Sequence, residues 1–319
     1  MSPPSQLSET EDLYGTLYSE TTGDLAFDDL GDRDDFLFLM RLLPGNPFIV
    51  ANPLDMTNAQ KMMDYYGLSD PIMEQYFRFL NNLLHLDFGY SLTHAGRSVN
   101  EVIKTYFPVT AQLAIQALLI GIPTGILLGI LSAYRRGGKL DYSLQMTTIL
   151  TTAVPSYILA ALFQLIFTVW LHWLPAGGWK NFSYTILPTL CLSLGIITGH
   201  CRSMRTLMLE VGQQDYMRTA KAKGLSDMRI IVFHQIRNAI LPMITNLGLE
   251  IAGMLMGSYV IERIFAVPGI GKYFVTSINE LDYTMTMGLV VFQAIVVVAA
   301  NFIVDLLYAV VDPRVKVAD

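Results

Sequence analysis

The sequence predicts an all-α, polytopic membrane protein, and three observations carry that prediction. The first is composition: 52% of the 319 residues are hydrophobic and 15% are charged, where a soluble domain carries about 25% charged residues. The second is a set of five long apolar segments, at 109–134, 143–171, 184–201, 239–261 and 283–311. A helix that crosses a bilayer needs about 20 predominantly apolar residues. The third is that lysine and arginine concentrate in alternate loops between those segments, as they do when the basic loops stay in the cytoplasm.

Segments 109–134 and 143–171 contain no charged residue, and 184–201 is uncharged but shorter. Segment 239–261 holds one acid, Glu250, and 283–311 holds one, Asp305. A buried helix of a large soluble protein can imitate one such segment, but not five in a row. Glycine and proline recur within them, as neighbouring membrane helices permit. Gly121, Gly125 and Gly129 fall four residues apart and so share one helix face. That stripe reads as a packing seam rather than a gating hinge.

The net charge of −6 belongs to the N-terminal tail. Residues 1–35 hold ten acidic residues and one basic residue, and the rest of the chain is slightly basic. The tail therefore says nothing of a basic partner or a nucleic acid. Its Ser, Thr, Asp and Glu content is that of a disordered segment. No basic stretch followed by an apolar run opens the chain, so no cleavable signal peptide is expected. Cys191 and Cys201 lie in or beside one apolar segment and read as packing residues.

Orientation follows from the loops. Arg135, Arg136 and Lys139 follow the first span, seven basic residues lie in 202–238, and Arg314 and Lys316 lie near the C-terminus. The alternate loops carry Lys180, and then Arg263 and Lys272. The basic loops and the C-terminus are expected on the cytoplasmic side. Residues 44–107, with 172–183 and 262–283, are then expected outside. Within 44–107 the pattern suggests one or two short helices, aromatics inward, forming a small cap.

The loop at 202–238 is the most informative stretch. Its centre, DYMRTAKAKGLSD, reads as a helix, a glycine stop and a second helix. Asp215 helps to start the first, Gly224 fits the left-handed position that ends it, and Ser226 is placed to cap the next. Ala220 and Ala222 keep the first helix slim. Two readings follow: a helix that docks into a groove on a partner protein, or an ordinary basic cytoplasmic loop.

The stretch YMRTAKAKGLSDMRIIVFHQIRNAILP, residues 216–242, resembles the "EAA" loop of permease subunits of ATP-binding cassette importers, in the version of the dipeptide, oligopeptide and nickel subfamily. Arg218, Thr219 and Ala220 stand where other importers have Glu-Ala-Ala, and Gly224 matches the loop glycine. DFGYSL at 87–92, RRGGKLD at 135–141, PAGG at 175–178, VPGIGKY at 267–273, DY at 282–283 and VDLLYAVVDPRV at 304–315 extend the resemblance over about residues 40–316. It implies a type I importer permease bundle over 108–316, in the cytoplasmic (inner) membrane of a prokaryote. It implies a second, similar permease, two ATPase subunits and an extracytoplasmic binding protein as partners. Asp215, Tyr216, Arg218, Thr219, Ala220, Ala222, Gly224 and Leu225 would then form the ATPase-coupling surface, and peptides would be the cargo.

The chain itself is not expected to hydrolyse ATP or to carry a cofactor. PGIGKY at 268–273 lacks the first glycine and the Ser/Thr of G-x4-G-K-[ST]. No H-E-x-x-H or G-x-S-x-G occurs, and the five histidines show no metal-ligand spacing. Ionisable groups inside a membrane call for a functional hypothesis. Glu250 is the deepest, with Glu262 and Asp305 nearer the segment ends. Glu250, with Asn246 and Gln112, either lines a hydrated path that meets a peptide's amino group or is bonded to a neighbouring helix. Two rivals remain: an ion-coupled secondary transporter using Glu250 and Asp305, and a degenerate permease or scaffold that transports nothing. The second has a basis in residues 36–43, FLFLMRLL, which stand where the family has a full first helix. Eight residues of helix span about 12 Å, against about 30 Å of hydrocarbon. The expectation is either a natural five-span variant or a start, residues 1–35, that replaces the family's own.

Overall fold

The computed structural model describes residue 67 and residues 69–311 apart from residue 95. The expectations for residues 1–35 and 36–43, and for residues 44–66 of the cap, lie outside the described residues, as does the side chain of Asp305. Among the described residues the structure is helical, with an isolated bridge between Tyr90 and Ser98. Its contacts divide the chain into two compact units. Among the described residues, one comprises those up to Val99 with Ser277–Phe292 and residues 309–311; the other comprises Asn100–Thr276 and Gln293–Tyr308.

The five expected spans appear as three continuous helices and two bent pairs. Helix α1, Ile72–Leu84, precedes them. Helix α2 runs Val99–Tyr134 and therefore starts ten residues before the apolar segment does. Residues 99–107 are helix, not cap. Helix α3, Lys139–Ala153, is followed by α4, Ser156–Phe163, which continues as a π-helix over Gln164–Trp170. This pair corresponds to the expected span 143–171, but it is bent by 102°. The cause is Pro155. Proline has no N–H and disfavours helical backbone in the residue before it. Val154 accordingly sits at φ −92°, ψ 123°.

Helix α5, Ser183–Val211, extends the span expected at 184–201 by ten residues, so the loop begins only after residue 211. Helix α6 is Asp215–Ala222. Helix α7, Asp227–Ile230, runs through a π-helical turn, Ile231–Ile236, into α8, Arg237–Thr245. Helix α9, Leu247–Leu255, and α10, Tyr259–Ile264, complete the second bent pair, which turns by 48°. Helix α11 is Gly271–Asn279, and α12, Tyr283–Val311, carries the last span.

In the larger unit the glycine stripe of α2 packs on α5. A Cβ on Gly121 would fall within 3 Å of Ile196, one on Gly125 within 3 Å of His200 and the Ile197 carbonyl, and one on Gly129 at 2.7 Å from both the Cys201 carbonyl and Met204. The expected packing seam is present. Cys191 and Cys201 are buried thiols beside it. Gly125→Val overpacks this seam against backbone, and a loss of about 1–3 kcal/mol follows. Thermal unfolding of the purified protein in detergent measures it; an unchanged midpoint would refute the seam.

In the smaller unit the two motifs DFGYSL and DY meet. Asp282, 2% exposed, accepts hydrogen bonds from the Ser91 hydroxyl, the Leu92 N–H at 3.1 Å and the Thr93 hydroxyl at 3.0 Å. It also accepts the Met285 N–H at 3.1 Å, capping α12. Phe88 is buried and meets Phe292 edge-on. The aromatics of this region do not all point inward as expected: Phe77 and Tyr90 are exposed.

Candidate coupling loop and intramembrane acids

The loop between α5 and α8 is built as its residues suggest. Gln214 is extended and Asp215 opens α6, where a carboxylate favours the positive helix end, although no side chain caps that end. At the other end Gly224 sits at φ +77°. Its N–H donates to the Lys221 carbonyl at 3.0 Å, and the Leu225 N–H donates to Ala220 at 3.4 Å. This nested pair of bonds closes a helix at a left-handed residue. Ser226 takes the extended conformation of a helix cap, yet its hydroxyl makes no capping bond.

Met217, Ala220 and Ile230 are buried together, with Val211 and Leu225 against them. Ala220 therefore faces inward, not toward a docking surface as the resemblance implied. Small size is what it needs, because α6 lies on α7 there. The exposed face carries Asp215, Tyr216, Arg218, Thr219 and Ala222, with the apolar side chains of Met228 and Phe233 exposed further along. Because α7 runs on through the π-helical turn into α8, the second half of this loop and the first part of the fourth span are one continuous piece of helix, Asp227–Thr245.

Three acids are held in the larger unit. Glu250 on α9 places Oε2 3.4 Å from Nε2 of His200 on α5. Neither Asn246 nor Gln112 joins its side chain. Asn246 donates back to the Pro242 carbonyl at 3.4 Å, Gln112 is exposed, and it is Gln116 that accepts the Thr189 hydroxyl at 3.0 Å. Glu250 thus faces a neighbouring helix through His200, not through Asn246 or Gln112. Nothing local in the sequence pairs residue 200 with 250, beyond both being polar residues in apolar surroundings.

Glu262 on α10 is 2% exposed. It accepts the Thr110 hydroxyl at 2.9 Å and the Gly271 N–H at 3.0 Å. A Cβ on Gly257, Gly269 or Gly271 would come within 3 Å of its carboxylate. The glycines of VPGIGKY thus wrap a carboxylate. Asp141, in RRGGKLD, is the third. Arg205 donates from Nε at 2.8 Å and from Nη2 at 2.9 Å, the Gly137 N–H at 2.9 Å, and the Ser132 hydroxyl also donates. Sequence reasoning singled out these motifs by resemblance alone; the carboxylates explain why the glycines are there.

Among the described residues this geometry shows no nucleophile paired with a base. It supplies helices with rigid polar joints and a loop that projects from them. The family model described as "Binding-protein-dependent transport system inner membrane component" matches residues 125–317. The chain belongs to that family. Among its relatives, the dipeptide transport system permease protein DppB of Bacillus subtilis is 42% identical over 278 residues, which cover 87% of this chain and 90% of that protein. The oligopeptide transport system permease protein OppB of Escherichia coli K12 is 38% identical over 281 residues, covering 88% and 92%. A solved structure of the MetNI methionine ABC transporter, in an inward-facing conformation, is 17% identical with a TM-score of 0.50. The match covers 66% of this chain and 96% of that one, and it concerns the fold alone. The chain is thus a multi-pass inner membrane component of an ABC importer, and its relatives are permease components rather than enzymes.

Proposed function

We propose that this permease carries peptides into the cell, working with a second similar permease, two ATPase subunits and a binding protein on the outer side. The observation that carries the reading is the α6–Gly224–α7 loop. Its inner face is anchored by Met217, Ala220 and Ile230, its outer face is polar, and its second helix continues into the span 239–261. A partner that grips the outer face moves that span directly. An ion-coupled transporter has no use for such a loop, and a scaffold has no use for its continuity with the membrane helix. The similarity to dipeptide and oligopeptide permeases over most of both chains supports peptides as the cargo.

The test is uptake. Cells lacking their own peptide permeases, supplied with this chain and its four partner subunits, should take up labelled di- and tripeptides, and the tagged chain should retain ATPase subunits on purification. Uptake without an ATPase partner would favour the ion-coupled reading. Neither uptake nor partner would leave the degenerate one.

Orientation is part of the proposal. Cysteines at exposed Arg136 and Ala222 should resist an impermeant thiol reagent in intact cells, and one at exposed Lys180 should react. The native thiols are buried and give little background. Labelling at 222 from outside would reverse the topology.

A further inference from the structure

The break at Val154–Pro155 opens a cleft of about 440 Å³ between α3, α4, α5 and the residues beside Ser258. Four features of its wall go together. First, Thr151 lines it, and the carbonyl of Thr151 has no helical donor, because the residue four positions on is Pro155, which has no N–H. Non-helical backbone at membrane depth is tolerated only where it is covered by protein or lines a wet cavity, and broken helices are where transporters bind cargo. Second, the wall is rich in hydroxyls. Thr152 and Thr198 donate their protons to carbonyls of their own helices, at 2.9 Å in each case, and so offer lone pairs to the cleft; Ser156, Ser203 and Ser258 add groups that donate or accept.

Third, two glycines of α5 line the cleft without a structural need to be glycine. Gly195 and Gly199 have helical backbone, and a Cβ on either would meet nothing within 4 Å. Alanine would favour the helix there. The contrast with Gly121, Gly125 and Gly129, where a Cβ strikes the neighbouring helix, is direct. At 195 and 199 the absent side chain keeps the cleft open. Fourth, a cation stands at one end. Arg205 is committed to Asp141, whereas Arg202, one turn earlier, lines the cleft.

We infer that this cleft is a wall of the cargo path that holds a peptide by its backbone, with Arg202 receiving the C-terminal carboxylate. The inference rests on the peptide-permease reading above and names the surface that does the work. The acceptors beside Pro155 suit peptide N–H groups, the serines suit peptide carbonyls, and none of them reads a side chain. From Cys191 to Ser203 the lining of α5 rises roughly 18 Å, the length of about five extended residues. A path built this way takes short peptides with little regard to sequence.

The test uses the whole transporter, with its partner permease, ATPases and binding protein, in proteoliposomes, and labelled trialanine as the probe. Gly199→Leu puts a side chain into the cleft at a position where a Cβ meets no atom within 4 Å. The complex should assemble and hydrolyse ATP as the wild type does, while trialanine uptake falls at least tenfold. Arg202→Gln should lower uptake of trialanine about tenfold, and Arg202→Lys should restore much of it, because the charge is what is used. Wild-type uptake by Gly199→Leu, or by Arg202→Gln, overturns the inference. So does loss of assembly in both Gly199→Leu and Gly199→Ala, which would assign the glycine to subunit packing. A wild-type complex that moves no trialanine refutes the peptide reading itself, a separate result from failure of the variants alone.

Discussion

A Gly224→Val protein is expected to reach the membrane, bind its lipid surroundings normally and lose uptake. Gly224 sits at φ +77°, and no atom lies within 4 Å of where its Cβ would be. The penalty is therefore conformational and not steric. A non-glycine residue held in the left-handed region costs about 1–3 kcal/mol, and a β-branched one stands at the upper end. The chain avoids that cost by giving up the bonds from Gly224 to Lys221 and from Leu225 to Ala220. Helix α7 then leaves the turn at another angle, and α8 with it. Because about 1.4 kcal/mol is a factor of ten, uptake should fall roughly tenfold or more. Gly224→Asn should retain more activity than Val, since asparagine visits this conformation more readily. Normal uptake by a well-expressed Gly224→Val protein would remove the coupling role from this loop. Ala220→Asp should fail differently: it buries a carboxylate against Met217 and Ile230, so the loop itself unfolds before any partner is met.

Asp141→Ala carries the largest expected loss of stability. The carboxylate is 3% exposed and takes four donors from three places: the end of α2, the glycine turn and α5. Removing it leaves the Arg205 guanidinium inside with no counter-charge and the Gly137 N–H without its acceptor. Breaking a buried pair from one side costs about 3–5 kcal/mol. The Arg205 side chain keeps 24% of its surface in solvent, which lowers the expected figure to about 2–4 kcal/mol. Denaturation of the purified protein reads this directly, and the double variant Asp141→Ala, Arg205→Met should recover part of the loss. An Asp141→Ala protein as stable as the wild type would show that the pair holds nothing.

Much of this was legible from the sequence, and the pattern of what was not has a physical reason. Apolar runs located the three continuous spans and the two bent pairs among the described residues, because bilayer thickness imposes a length that composition reveals. The Gly224 turn was legible because a left-handed helix end is a local demand on one residue. Pro155 was visible too, but not the 102° bend, since a proline in an apolar run permits either a kink or a full break and the neighbours decide. The direction of Ala220 depended on what α7 placed beside it. The pairing of Glu250 with His200, and of Asp141 with Arg205, joins residues 50 and 64 positions apart, where no periodicity reaches. Glu262 was noticed as an acid near a helix end, while its glycine cage is formed by Gly257, Gly269 and Gly271 from both sides of a turn.

The bonds that Asp282 receives from Ser91, Leu92 and Thr93 also set an order of events during synthesis. Ser91 and Asp282 are 191 positions apart. At about 5–20 residues per second, a ribosome takes roughly 10–40 seconds to bridge that interval. Throughout it the DFGYSL segment has been made and its acceptor has not. The smaller unit therefore closes only as the last span is delivered, and a chain stopped before residue 282 leaves its earliest described residues without their lock.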